Sequence, residues 1–309
     1  MVAGAAIMRQ GAILRDHLGD RKAAVRCFES LAALEPGKLP ALLALEPLYT
    51  EFAAWDALAS AYRVEAETVS AQAARIAALR ELARIQETRD GVAAERIAAT
   101  YQAILDHAPD DQVALVALQR LASELGDKTS LAKIYRRLGK AVGAPQLAAR
   151  YWTSMGHARE ELGEPEAAMA AYRTAIDEDA DCLAAIRGLS RTARAVGDAR
   201  ALADAWRREA TLIGDARTAA DLLVKSAILG LDELDDEAGA VRDLERALSL
   251  WPDSQAAAER LCGPLLAAGR ADYLIDVLAR AAGQASSPES AAEHWVRVAE
   301  LRFEQQGDL

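Results

Sequence analysis

Aromatic residues are scarce in this chain, 15 in 309, and asparagine is absent altogether. Long β-branched runs are missing too, while Ala, Leu, Arg and Glu abound, a helix-forming mixture in which almost no strand is expected. No apolar stretch reaches the roughly 18 residues of a membrane span, and the opening Met1-Val2-Ala3-Gly4-Ala5-Ala6-Ile7-Met8 lacks a basic start and a long apolar core. Neither a span nor an export signal is expected, and the expected location is cytoplasmic. Cysteine is limited to Cys27, Cys182 and Cys262, far apart and outside any ligand spacing. They read as small packing residues in a reducing compartment. Lysine is rare beside arginine, 6 to 30, as expected of GC-rich codons. The net charge of −11 keeps the protein soluble and argues against a polyanion such as nucleic acid.

Reaction machinery is missing as well. There is no phosphate-cradling glycine loop and no His-Glu-x-x-His. The four histidines, His17, His107, His157 and His294, are scattered and read as exposed helix or turn residues. The acidic runs Asp177–Asp181 and Asp232–Glu237 lack the ligand alternation of a calcium loop and read as solvated turns. No catalytic residue, cofactor or metal is expected, and the chain is not read as an enzyme.

What is present is a spacing. Gly19, Ala24, Phe28 and Pro36 stand 5, 4 and 8 residues apart; Gly163, Ala168 and Tyr172 repeat the first two intervals, Tyr101 and Pro109 the last. Large residues at Phe28, Tyr101, Tyr172 and Leu244 step by 73, 71 and 72. A second series, Tyr62, Tyr135, Trp206 and Leu278, steps by 73, 71 and 72 again. The chain is therefore a tandem array of paired units of about 36 residues each, the signature of stacked helix pairs.

The clearest unit runs from Arg150 to Asp181. Trp152, Met155, Gly156 and Arg159 mark one helical face, Leu162-Gly163-Glu164-Pro165 breaks the helix, and Ala168, Tyr172, Ala175 and Ile176 form the stripe of a second. Gly156 and Ala168 are the expected sockets, Trp152 and Tyr172 the plugs. These residues closely resemble the tetratricopeptide repeat, with Ala180 where a proline and Arg159 where an aromatic would stand. Gly19, Ala24, Phe28 and Pro36 in the first unit, and Ala240, Ala247 and Pro252 in the seventh, extend the resemblance. It implies an all-α, right-handed α-solenoid of about nine helix-turn-helix repeats, read at 5–38, 39–74, 75–111, 112–147, 148–181, 182–216, 217–253, 254–288 and 289–309. Even-numbered units diverge, lacking the final proline and pairing a leucine with an aromatic (Leu58/Tyr62, Leu131/Tyr135). Pro47 and Pro264 fall inside first helices, where a proline costs about 3 kcal/mol, and a bend or a shortened helix is expected there. Gly307 falls where a ninth unit would turn, so the chain reads as a piece of a longer array or as one closed by its last helix.

The resemblance further implies a concave groove lined by the first helix of each pair. Carried over by position, Arg9, Arg80, Arg84, Arg120, Arg150, His157, Arg187, Arg191 and Arg194 fall near that lining. Arg187, Arg191 and Arg194 share a face at i, i+4 and i+7, and arginine forks match carboxylates. Family members that clamp a C-terminal carboxylate use groove asparagines, which are absent here. The expected function is a non-catalytic scaffold that binds a protein or peptide, an acidic one if the arginines serve. The alternatives are a helical-repeat RNA reader, disfavoured by charge, and the substrate-recruiting arm of a larger enzyme. End-to-end self-association is a further expectation.

Overall fold

The computed structural model describes residues 2–34 and 38–306, and in these it is all-α, with seventeen helices and no strand. The chain forms two compact units, Met1–Ser130 and Leu131–Leu309, divided within the first turn of one helix. The expectations placed on Pro36 and Gly307 lie outside the described residues.

The first unit holds α1 (Val2–Asp16), α2 (Arg21–Ala32), α3 (Lys38–Glu51), α4 (Trp55–Thr68), α5 (Gln72–Thr88), α6 (Ala94–His107) and α7 (Gln112–Glu124), each packed on the next. Then comes α8 (Lys128–Ala141), all but its first three residues in the second unit. The second unit continues with α9 (Pro145–Glu161), α10 (Pro165–Glu178), α11 (Leu183–Val196), α12 (Ala199–Leu212), α13 (Ala216–Asp232), α14 (Glu237–Leu250), α15 (Gln255–Ala267), α16 (Ala271–Gln284) and α17 (Pro288–Gln306). From α9 onward each helix packs on the next, and α9 also meets α11. Within each unit the core is a row of small interfaces, the mark of a solenoid.

Turn chemistry sets the hairpins. Within each pair from α1–α2 to α15–α16, one residue of the turn adopts a left-handed backbone. These are Gly19, Ala53, Gly91, Gly126, Gly163, Gly197, Asp235 and Gly269. Gly19, Gly91, Gly163 and Asp235 are 72 apart; Ala53, Gly126, Gly197 and Gly269 step by 73, 71 and 72, as the aromatic series does. Glycine takes this conformation without a Cβ penalty, whereas Ala53 (φ 51°) and Asp235 (φ 51°) are strained. The second helix often opens on an aspartate: Asp20, Asp198 and Asp236 accept from the backbone N–H three residues on at 2.9, 3.0 and 2.9 Å.

Packing between helices is plug into socket. Phe28 of α2 is fully buried against Gly11 of α1, where a Cβ would lie 2.5 Å from its ring. Trp152 of α9 meets Gly139 of α8, where a Cβ would lie 2.9 Å from its Nε1. Pro47 and Pro264 lie inside α3 and α15, which run on past them to Glu51 and Ala267, so of the bend or shortened helix expected there the shortening is absent. One reading of the histidines needs correcting. His294 is not an exposed residue; it is 2% exposed, its Nε2 2.7 Å from the Pro252 carbonyl oxygen. A long α17 carries it beneath the end of α14, where it satisfies an otherwise orphaned acceptor.

Candidate functional site

The best-defined polar cluster lies where α9, α10 and α11 meet. Tyr172 of α10 is wholly buried, its ring held between Gly156 of α9 and Gly188 of α11. A Cβ at either glycine would lie 2.4 Å from a ring carbon, so neither position accepts a larger residue without displacing the ring. The ring thus passes between the two first helices, and its hydroxyl emerges on their far side. There it donates to Glu160 Oε2 at 2.6 Å. The phenol oxygen accepts from Arg191 Nη2 at 3.4 Å and lies 3.1 Å from His157 Nδ1, the His157 ring meeting Tyr172 edge-on at 5.6 Å.

Arg191 of α11 completes the cluster with a two-pronged bridge to Glu160, Nε to Oε1 at 2.9 Å and Nη2 to Oε2 at 2.6 Å. Burial raises the pKa of Glu160, but the bonds from Arg191 and Tyr172 outweigh it and hold the carboxyl below its ordinary range. Burial, then the bond to Glu160, pushes the Tyr172 phenol well above its usual value. The cluster is an ionised carboxylate with a neutral phenol, fixed in geometry and open to solvent on the arginine side, where the Arg191 side chain is 54% exposed.

The rest of the α11 stripe is anchored too. Arg187 donates through Nε to Glu209 of α12 at 2.7 Å, a glutamate only 8% exposed, and the Arg194 guanidinium lies 5.4 Å from the centre of the Trp206 ring. Arg187 and Arg194 therefore lean toward α12, Arg191 toward α9. Arg150 and His157 share a face of α9; Arg150 is exposed and forms no ion pair with any described residue.

The first unit shows a related arrangement. Tyr101 of α6 lies against Glu87 of α5; burial and then that carboxylate push its phenol up to about 12. Arg120 of α7 bridges Glu87 at 2.6 Å and Glu124 at 3.0 Å. The triplets Tyr101–Glu87–Arg120 and Tyr172–Glu160–Arg191 each join a second-helix phenol to a first-helix glutamate and an arginine of the following first helix. Arg80 pairs with Asp111, the N-cap of α7, and Arg84 with Glu81 at 2.7 Å. Arg80, Arg84 and Arg120 are thus matched by Asp111, Glu81, Glu87 and Glu124 and present no surplus positive charge. The second-unit set, Arg150, Arg187, Arg191 and Arg194 against Glu160 and Glu209, does. Arg80, Arg84 and Arg120 belong to one compact unit and Arg150, His157, Arg187, Arg191 and Arg194 to the other.

Sequence reasoning missed the glutamates. Their only signal is a Glu 12 to 16 residues before a second-helix tyrosine, at 46/62, 87/101 and 160/172, which a search for basic residues passes over. It also missed Asp243, 7% exposed, which binds Arg207 Nε and Ser226 Oγ, both at 2.7 Å, and so ties α12, α13 and α14 together. Among the described residues no group of three His, Cys, Asp or Glu is placed to hold a metal ion, and no helix is long and apolar enough to cross a membrane.

Stacked helical hairpins joined by polar bridges define an all-α repeat scaffold. Residues 149–182 match the family model for the tetratricopeptide repeat. No curated protein matches the chain in sequence. Among solved structures it is similar to YrrB, a TPR protein with an unusual peptide-binding site, at 14% identity over 64% of this chain and 95% of that one, TM-score 0.35. It is also similar to yeast Tom70, at 12% identity over 93% of this chain, TM-score 0.29, and spans 60% of that protein's length. A tetratricopeptide repeat protein from Parabacteroides merdae shares 14% identity over 86% of this chain and all of its own, TM-score 0.34. The matched residues take in most of α9 and all of α10, one hairpin of an all-α array.

Proposed function

We propose that the chain is a non-catalytic docking scaffold whose α9–α11 face receives a carboxylate-bearing segment of a partner protein. One observation carries this reading: Arg187 and Arg191 are each held from behind by a carboxylate while their side chains stay 54% exposed. An arginine so anchored loses less side-chain freedom on binding than a free one, and its unused N–H donors face outward. Arg150, His157 and Arg194 extend the same patch. Arg80 and Arg120 take the lesser part of holding successive hairpins together, and Arg84 pairs within its own helix with Glu81. The nine-unit division, one unit for each helix pair and α17 opening the last, belongs to this proposal.

The test uses short acidic peptides and matched peptides with Gln and Asn in place of Glu and Asp. Replacing all three α11 arginines by Glu is a poor variant, because it strands Glu160 and Glu209 beside new carboxylates. Arg150→Glu with Arg194→Glu reverses charge without breaking an ion pair. Acidic peptides should bind preferentially, more weakly as salt rises, and at least tenfold more weakly to this double variant. Equal binding of both peptide sets, or an unaffected variant, would rule the face out. A second reading, self-association, is supported by α17, where Trp295, Val296 and Phe303 are 48%, 58% and 60% exposed. Sedimentation velocity on wild type and Trp295→Ser/Phe303→Ser decides it: an oligomer lost in the variant supports the reading, and a wild-type monomer at high concentration refutes it.

A further inference from the structure

On the opposite side of α5 from Arg80 and Arg84 lies a cleft of about 610 Å³, wholly inside the first unit. It exists because α4 and α6 both pack on α5 yet make little contact with each other. Small residues, Ala66 on α4 and Ala99 and Ala103 on α6, leave the space between them unfilled. Leu79 and Leu82 of α5 form its floor. The volume is that of a small-molecule site.

Its polar groups are what give it a preference. Gln86 lines the cleft yet is only 5% exposed. The Thr100 hydroxyl, shared between its Oε1 at 2.8 Å and the Arg96 carbonyl oxygen at 3.2 Å, fixes the amide, whose Nε2 is left in contact with solvent. Arg96, on the turn of α6 beside Thr100, and Arg63 of α4 also line the cleft, and neither forms an ion pair with a described residue. Arg75 stands at the other end, where it donates to the Ala66 and Val69 carbonyls at 2.9 and 2.8 Å and closes the end of α4. In a chain of net charge −11, three arginines and a histidine around one cleft face a single lining carboxylate, Glu67.

We propose that this cleft is a binding site for a small amphipathic carboxylate, its apolar body on Leu79 and Leu82 and its head group on Gln86 Nε2, Arg96 and Arg63. The apolar floor selects against a bare inorganic anion, and the unpaired donors select against a neutral molecule of the same length. The site is independent of the α9–α11 face, with which it shares no residue.

Octanoate, 1-octanol and inorganic phosphate serve as probes of the full chain, by calorimetry and by amide chemical-shift mapping. Octanoate should bind with shifts confined to α4, α5 and α6, at least tenfold more tightly than 1-octanol, and phosphate should not compete. Arg63→Gln with Arg96→Gln changes two exposed side chains and should weaken octanoate at least tenfold at an unchanged melting temperature. Ala103→Leu should block it by filling the cleft, whereas Arg150→Gln, in the other unit, should leave it unaltered. Equal affinity for octanoate and octanol, displacement by phosphate, or binding that survives both cleft variants overturns the assignment.

Discussion

Replacing Gly156 by alanine tests the packing at its tightest point. In a helix interior, Gly→Ala alone is worth about 1 kcal/mol of added stability. Here the new Cβ would lie 2.4 Å from Tyr172 Cε1, 2.6 Å from Cζ and 2.7 Å from Cδ1. The ring cannot retreat, because Gly188 closes its other side with the same 2.4 Å separation. Overpacking of this kind costs about 1–3 kcal/mol, and a ring confined on both faces belongs in the upper half of that range. Gly156→Ala should therefore destabilise by about 1–2 kcal/mol net. In a Tyr172→Ala background the obstacle is gone, and the same change should stabilise by about 1 kcal/mol. The coupling between the two positions is then about 2–3 kcal/mol, well outside the error of a double-mutant cycle. Urea unfolding followed by circular dichroism at 222 nm supplies the four stabilities, and hydrogen exchange across α9–α11 localises the change if the array does not melt in one step. Gly283→Ala, with nothing within 4 Å of its Cβ, is the internal control and should not destabilise. A Gly156→Ala variant more stable than wild type would show that Tyr172 does not lie between the two glycines.

Further expectations concern the turns, the buried carboxylate and the buried histidine. Ala53→Gly relieves a left-handed alanine and should raise stability by up to about 1 kcal/mol, whereas Gly163→Ala should lower it by about 1–2 kcal/mol; thermal melts of the pair in opposite directions check this. The folded-state pKa of Glu160 lies below its unfolded value, so its contribution is complete above the ordinary glutamate range and lost as pH falls through the lower folded value. Glu160→Gln should therefore be less stable than wild type at pH 7, with the gap narrowing below about pH 4; parallel stability curves from pH 7 to 3 would contradict this. His294→Phe leaves the Pro252 carbonyl without its partner and should cost about 1–3 kcal/mol, read by urea unfolding.

Much of this architecture is written in the linear chain. The helical composition, the steps of 73, 71 and 72, the turn glycines and the Tyr172–Gly156 contact are local or periodic, and a helix surface repeats with a period that a sequence shows. The identity of the α11 stripe was equally legible, since i, i+4 and i+7 place three arginines on one face. What those arginines do was decided only by tertiary structure. Whether Arg191 is free depends on a glutamate 31 residues away on another helix, and the partner of Arg187 lies 22 residues on. The same holds for the burial of His294 and for the cleft over Leu79 and Leu82. A cavity is a mismatch between the faces of three helices, and its unpaired donors are known only once every neighbouring acceptor has been placed. Periodicity determines which side chains point inward; distances between helices determine which of them find partners, and those left without one are where a ligand can bind.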